Sequence, residues 1–460
     1  MNPTIRLAVI QTPGTRLDQW PETRSLIDTL ITQAAAAGAD LALLPECVWP
    51  AYYIESVETY HRARASGLPG VSDFLSWLQS AARREHIAIC AGYVAERDNV
   101  LSNEVVLMDA SGEVLGTHAK CFLWDFDNDF FCPGNALQPV PTPWGLVGLM
   151  ICADARLPEI PATLVSRGAR LLLQPTAWVN VGTPSAPWNP QPTILIPDRA
   201  REFGIPIASA SKWGKEGPTE FVGSSLICDS TGTVLTQCGT SDTEMIVAEV
   251  ALGEPYRSNV TVAERDRLLS FEPATTPRAE VPALHVVSLS RMTRDNASPL
   301  DRVFIHANHT HAPTLVIADH DPKLTADFEN ALLLTEPASV ILESHGIRIA
   351  SLTDADAERF APLRVFAMDG IHAAVVFGKN IADRTLRARA AENRIFVINV
   401  APDRLRAYSP LGVAIAPVSE PIDGVDPGAY YRLDVSSAAN KEFAPLTNPF
   451  RQRRPAMYHL

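Results

Sequence analysis

The chain has 460 residues, 46% of them hydrophobic and 20% charged, and a formal net charge of −13. That length exceeds one ordinary domain and that apolar content fills a sizeable core, so two globular domains are expected. The acidic balance argues against non-specific binding to nucleic acid or to an anionic membrane, and no apolar run approaches the roughly 18–20 residues of a membrane span.

The stretch Met1 to Ile10 lacks the basic flank and long apolar core of a signal peptide and enters a strand directly, so a cytoplasmic protein is expected. The seven cysteines, Cys47, Cys90, Cys121, Cys132, Cys152, Cys228 and Cys238, are odd in number and form no CxxC pair. Neither a disulfide framework nor a zinc site follows, and no metal or cofactor is expected. All the cysteines and all eight tryptophans lie before residue 240, which suggests that the two halves are used differently.

In chain order, residues 5–10 read as a strand, 21–37 as a helix closed by Gly38, and 39–44 as a short buried strand running into Pro45-Glu46. A helix over about 72–85 leads to a strand at 87–91, and a hairpin follows over 105–115, turning at Asp109-Ala110-Ser111-Gly112. Lys120 to Asn135 reads as a polar, aromatic loop. The apolar run Leu146 to Ile151 then reads as a buried strand ending at Cys152, with Pro158 and Glu159 suited to a helix start. A helix over 158–167, a strand at 170–174, a Pro-rich loop at 180–197, a helix near 198–203, a strand at 205–210 and a hairpin from Ser225 complete the first half. Strands alternating with helices give a layered α/β architecture.

A linker is expected at Phe271 to Arg278, and beyond it the pattern restarts. Leu284 to Leu289 echoes the first strand, Pro313 to Asp319 echoes Ala39 to Glu46, and Arg389 to Asn399 echoes Arg199 to Ser209. Gly412 to Ile415 echoes Gly223 to Leu226. This order of matches points to a duplicated domain, with 1–270 and 283–460 as the two copies; the alternative is two unrelated α/β units whose buried strands look alike.

A lone cysteine at the end of an apolar run is ordinarily an inert core thiol. Here Glu46 and Lys120 also stand at strand ends or in connecting loops, and the three together supply what amide hydrolysis needs. A carboxylate takes the thiol proton and returns one to the leaving amine, while a fixed cation and backbone N–H groups receive the oxyanion.

Leu43-Leu44-Pro45-Glu46, His118-Ala119-Lys120 and Ile151-Cys152-Ala153-Asp154-Ala155-Arg156-Leu157-Pro158-Glu159 resemble the motifs of the nitrilase superfamily of carbon–nitrogen hydrolases. Phe131-Cys132-Pro133-Gly134, Pro175-Thr176-Ala177-Trp178 and Gly223-Ser224-Ser225 fit its supporting pattern, and the resemblance covers about residues 4–255. It implies a four-layer α-β-β-α sandwich, here duplicated in tandem, and a Glu46-Lys120-Cys152 triad. Where many members carry a second Glu, this chain has Asp127, flanked by Asp125 and Asp129. It either holds Lys120 or the substrate nitrogen, or belongs to a solvated acidic loop. The residues after the nucleophile resemble the amidase and carbamoylase branches, whereas true nitrilases tend to have Trp-Glu there. Arg156 then either binds a substrate carboxylate or braces Asp154 or Glu159, and Trp124, Phe126, Phe130 and Trp178 either wall the pocket or pack the core.

In the second half, Asp319 or His320 stands where Glu46 would be, Phe377 stands near the place of Cys152, and no lysine counterpart is visible. Residues 283–460 therefore read as a degenerate nitrilase-like domain with a structural role, as a built-in partner in a pseudo-dimer or within a homo-oligomer. His306 to His311 holds three histidines but no fourth ligand, and reads as loop. The basic tail Arg451 to Arg454 reads as a solvated or subunit-contacting end. The expected activity is cysteine-dependent hydrolysis of a small carboxamide or N-carbamoyl substrate through a thioester. The alternatives are a nitrilase and an inactive binding or scaffold protein.

Overall fold

Strands buried on both faces read as nearly continuous apolar runs, and residues 7–10 of this chain are such a run. In the computed structural model, Leu7 and Val9 point to one side and Ala8 and Ile10 to the other, all fully buried. Ala8 and Ile10 join the helix-facing core with Ala42, Leu44, Ile89, Ala91, Val106 and Met108, against Ile27 and Ile31 of one helix and Phe74 and Leu78 of another. The structure describes residues 3–183, 185–270, 276–277, 283–288, 314–317, 331–334, 341–344, 346–418 and 430–460.

By packing, the chain divides into two units: Met1–Ser258 with Ala444–Thr447 and Gln452–Leu460, and Asn259–Phe443 with Asn448–Arg451. The division of the chain at 270 and 283 is thus incomplete, because its last residues pack with the first unit.

In the first unit the strands are β1 (Thr4–Pro13), β2 (Leu41–Leu43), β3 (Ala88–Arg97), β4 (Val100–Met108), β5 (Val114–Ala119), β6 (Val140–Thr142), β7 (Gly145–Leu149), β8 (Leu171–Pro175), β9 (Ile207–Ala210), β10 (Lys212–Glu216), β11 (Thr219–Val222), β12 (Leu226–Cys228), β13 (Val234–Gln237) and β14 (Glu244–Ala251). One sheet runs β11-β10-β1-β2-β3-β4-β5, with β14 also on β1, and the second runs β13-β12-β9-β8-β7-β6. Helices α1 (Trp20–Ala36), α2 (Val57–Ala65) and α3 (Val71–Glu85) precede β3, and α1 and α3 cover the first sheet. A one-turn helix α4 (Asp127–Phe130) precedes β6, and α5 (Glu159–Ser166) and α6 (Ile196–Phe203) pack on the second sheet. Stacked sheets flanked by helices make the α-β-β-α sandwich. The 180–197 loop departs from expectation, since Gln191–Leu195 forms a wide helical turn that runs into α6.

The second unit has β15 (Ala283–Ser288), β16 (Thr314–Ile317), β17 (Ala331–Leu334), β18 (Ile341–Ser344), β19 (Ile347–Thr353), β20 (Ala373–Phe377), β21 (Phe396–Ala401), β22 (Arg404–Tyr408), β23 (Ala414–Ile415) and β24 (Tyr430–Asp434). Its sheets run β17-β16-β15-β24 and β18-β19-β20-β21-β22-β23. That order repeats β3-β2-β1-β14 and β6-β7-β8-β9-β12-β13 of the first unit, with the same parallel and antiparallel pairings. Leu284, Val286, Ile349, Val375 and Ile398 share one core of this unit, and Leu363, Leu386, Ala374 and Val376 share another.

The strand order corrects one sequence reading. In that order β19 stands where β7 does and β20 where β8 does, so the end of β19 at Asp354, and not the neighbourhood of Phe377, matches the strand end at Cys152. Phe377 ends the next strand, at the place of Pro175. Similar apolar runs misled the alignment; the order of strands in the sheets separates them. Most of the expected linker 271–278, the His306–His311 run, Asp319 and His320 lie outside the described residues.

His372 in the second unit accepts the Arg348 N–H at Nδ1 (3.1 Å), and its Nε2 donates to the Pro277 carbonyl (2.9 Å). Both nitrogens are used by the neutral ring. Burial, then Lys441, pulls its pKa down to about 4 from the ordinary 6.5. Folding therefore favours the neutral form. Its stabilisation is complete above about pH 6.5 and is lost as pH falls from there through 4. Urea midpoints by far-UV circular dichroism are expected to fall more steeply over this window in the native chain than in His372→Asn. Tryptophan fluorescence reports on the first unit alone, because Trp20 to Trp213 all lie there. Equal slopes in the two proteins would contradict the assignment.

Candidate active site

Glu46 follows β2, and its backbone N–H donates to the Thr176 carbonyl (3.3 Å) beyond β8. The approach requires glycine at 92, because a Cβ there would sit 2.6 Å from the Glu46 Cα. Beyond Glu46 the chain is tied down by a second buried ion pair. Lys212 Nζ donates to the Cys47 carbonyl (2.9 Å) and to Glu216 (2.5 Å), and Glu216 accepts the N–H groups of Thr15, Tyr52 and Tyr53.

Lys120 leaves β5 and is fully buried, its backbone N–H donating to the Asn103 carbonyl and its carbonyl accepting the Gly134 N–H. A Cβ at Gly134 would lie 2.2 Å from the Ala119 carbonyl oxygen, so a larger residue would push this segment away. The Lys120 ammonium donates to Glu46 Oε1 at 2.7 Å and to Asp127 Oδ2 at 2.6 Å, and sits 5.2 Å from the Tyr52 ring centroid. Asp127 also accepts the Trp124 N–H (2.9 Å) and is completely buried in α4. The solvated-loop reading of Asp127 is thereby overturned: Asp125 and Asp129 reach solvent, and Asp127 does not.

Cys152 sits at the start of the tight turn Cys152–Arg156, with φ at 43°, a left-handed conformation uncommon outside glycine. Its carbonyl accepts from Gln174 Nε2 (2.8 Å), and its sulfur lies beside the Thr176 hydroxyl and the Ala177 N–H, within charge reach of Glu46 and Lys120. Burial, then the Glu46 carboxylate, pushes the thiol up to about 12. Burial, only partly offset by Lys120 and reinforced by Asp127, also raises Glu46. For Lys120, burial acts downward but is outweighed by Asp127 and Glu46, which hold the ammonium well above its ordinary value. The resting site is thus a neutral thiol beside a carboxylate of enhanced basicity and a permanent cation.

Two supporting residues were not foreseen as such. Asn103 Nδ2 donates to Glu46 Oε1 (2.7 Å). Asp154 accepts the Ile151 N–H with one oxygen and the Cys121 and Phe122 N–H groups with the other, and contacts His118 Nε2 at 2.9 Å. It thereby fastens the Lys120 strand end to the Cys152 turn. Arg156 does not brace it. The Arg156 guanidinium lies 4.7 Å from the Trp124 ring centroid and reaches Asn189 Oδ1 at 3.5 Å. Trp178 is completely buried, while Phe126 and Phe130 pack on Tyr53.

The sequence profile of the carbon-nitrogen hydrolase family matches residues 6–257. The chain belongs to that family. This carbon–nitrogen hydrolase is 31% identical to the mouse protein Omega-amidase NIT2 over 252 residues, which span 52% of this chain and 86% of the mouse protein. It is 30% identical to a protein of Pyrococcus abyssi named Nitrilase, across 50% of this chain and 83% of that one. Among solved structures, an amidase from Nesterenkonia sp. aligns at 29% identity with a TM-score of 0.48, covering 57% of this hydrolase and 95% of that chain. All these matches fall within about half of the chain. Among the described residues, no helix is long and apolar enough to cross a membrane, and no group of three or more metal-ligating side chains occurs.

Proposed function

We propose that the first unit hydrolyses a small carboxamide or N-carbamoyl substrate, with Cys152 as nucleophile, Glu46 as general base and acid, and Lys120 as oxyanion partner. The observation that carries this reading is one buried ammonium held between two carboxylates, with Glu46 Oε2 and Asp127 Oδ1 both lacking a partner. A buried carboxylate oxygen is costly to leave unpaired, so each is a natural acceptor for a proton or N–H brought by the reaction.

In the first step Glu46 takes the thiol proton as sulfur bonds to the carbonyl carbon, and the carbonyl electrons move to oxygen. Lys120 and the backbone N–H of Ala153 receive that charge. Asp127 Oδ1 accepts an N–H of the amide. Collapse breaks the C–N bond, and the amine leaves with the proton held by Glu46. Glu46 then deprotonates a water, which attacks the thioester; the acid departs and sulfur regains its proton. Arg156, lying on Trp124, meets a substrate carboxylate, and Trp178 walls the same space.

The name of the mouse relative favours an amide over a nitrile, while that of the Pyrococcus protein keeps nitrile hydrolysis as the second reading. Ammonia release from a panel of amides, N-carbamoyl compounds and nitriles, with Cys152→Ala as control, is the test. Turnover of amides that vanishes in Cys152→Ala is expected. Acid from nitriles alone would favour the second reading, no turnover would favour a scaffold, and activity surviving Cys152→Ala would refute the mechanism.

The second unit is proposed to be a degenerate copy without catalytic function. Its strand order and the buried Arg389–Glu392 pair, matching Arg199–Glu202, support common descent. Asp354 stands in place of sulfur, and only residues 335–340 separate β17 from β18, leaving no room for the segment that carries Lys120 and Asp127.

A further inference from the structure

The basic tail is not a solvated end. Arg453 Nε donates to Glu159 Oε1 at 2.9 Å, the two side chains being 2% and 0% exposed. The His459 N–H donates to Thr163 Oγ1 (3.0 Å), one turn further along α5. Arg454 donates to the Gly134 carbonyl (3.2 Å), and the Gly134 N–H holds the Lys120 carbonyl (2.8 Å). Gln452 Nε2 donates to the Leu123 carbonyl (3.3 Å) and Asn128 Oδ1 (3.2 Å). Thr447 Oγ1, fully buried, accepts the Asp125 N–H at 2.6 Å.

One short stretch therefore grips two elements that do not otherwise share a strand. The first is the segment 120–134, which carries Lys120 and Asp127; the second is α5, which follows the Cys152 turn. A catalytic group on a loop keeps its geometry only if the loop is itself held by packing and hydrogen bonds. Asp127 lies on such a loop, two residues from the Asp125 N–H that Thr447 secures.

We propose that the C-terminal segment, through Thr447, Gln452, Arg453 and Arg454, is a positioning element of the active site that fixes Lys120 and Asp127 against the Cys152 turn. The inference rests on the reading of those three residues as the machinery. It also gives the long second unit a consequence, since the chain traverses that unit before returning these residues to the first.

The test uses the full chain with Thr447→Val and Thr447→Ser, and a chain ending at Arg451 with a synthetic peptide of residues 452–460 added back. Two rates are read below each variant's melting temperature: kcat and KM on the best amide of the panel, and alkylation of Cys152 by iodoacetamide, followed by peptide mapping. Thr447→Val is expected to lose about ten-fold in kcat and in Cys152 alkylation with KM little changed, and Thr447→Ser to keep both rates. The shortened chain is expected to lose at least as much and to regain activity with the peptide. If Thr447→Val and the shortened chain are folded and keep both rates within about two-fold, the segment is merely structural and the inference fails, whatever happens to stability. Should the shortened chain not fold, the two Thr447 variants decide. Retained activity in full-length Cys152→Ala would instead sink the underlying functional reading, independently of the tail.

Discussion

Glu46→Gln is expected to lower kcat/KM by about a thousand-fold while the protein stays folded. The amide oxygen of Gln can keep the contacts that Oε1 makes with Asn103 and Lys120, so the packing of the site survives. What is lost is the base. Burial alone still holds the thiol up once the Glu46 charge is gone, so proton transfer to a base is still needed. The pH profile follows with a definite sign. Burial raises the Glu46 pKa above 4.5, so the acid limb of kcat/KM, which requires the ionised carboxylate, lies at higher pH than for an ordinary glutamate. Lys120 is held protonated well above 10.5, so its loss of charge places no limb in the neutral range. Steady-state rates from pH 4 to 9 check both points. An acid limb at or below the ordinary glutamate value, or one that persists unchanged in Glu46→Gln, would assign that proton to another group.

Lys120→Met is expected to cost about 3–5 kcal/mol of stability and to abolish turnover. Methionine nearly matches the volume of lysine, so the loss is not one of packing. Removing the ammonium leaves Glu46 and Asp127 facing each other without a cation, both completely buried. Like charges in such a site cannot both stay ionised. The double variant Lys120→Met/Asp127→Asn removes one of the two charges and is expected to recover most of the stability, but no activity, because the oxyanion partner is still missing. Urea unfolding of the single and double variants measures the first half of this statement, and ammonia release the second. A single variant as stable as the native chain would mean that the triad cation does not offset those carboxylates.

The parts of the molecule legible in the sequence are those with local signals. The apolar run into Cys152 and the Pro158-Glu159 pair placed Cys152 at a strand-to-turn junction, where φ of 43° is found. The α/β layering was legible in strands alternating with helices, and the four-layer α-β-β-α sandwich in the resemblance to the nitrilase superfamily. Asp127 was ambiguous, because an acid between two other acids looks solvated unless a buried cation calls it inward. Asn103 was missed although it carried a signal, a polar residue on the same strand face as Val105 and Leu107. The Lys212–Glu216 pair and the Thr447, Arg453 and Arg454 contacts were beyond reach. They join residues far apart in the chain, and no local pattern announces such partners. Asp354 was missed for a related reason, since strands of similar composition are distinguished by their order in the sheet and not by hydrophobicity.

In the proposed mechanism Cys152 forms a thioester with the substrate acyl group. Mass mapping of the native chain, quenched in acid during steady-state turnover of the amide it hydrolyses most slowly, tests it most directly, since the acyl group is then caught before water removes it. The acyl mass is expected on the peptide containing Cys152 and on no other cysteine. An acyl group on a different residue, or amide turnover by the Cys152→Ala chain, would contradict it.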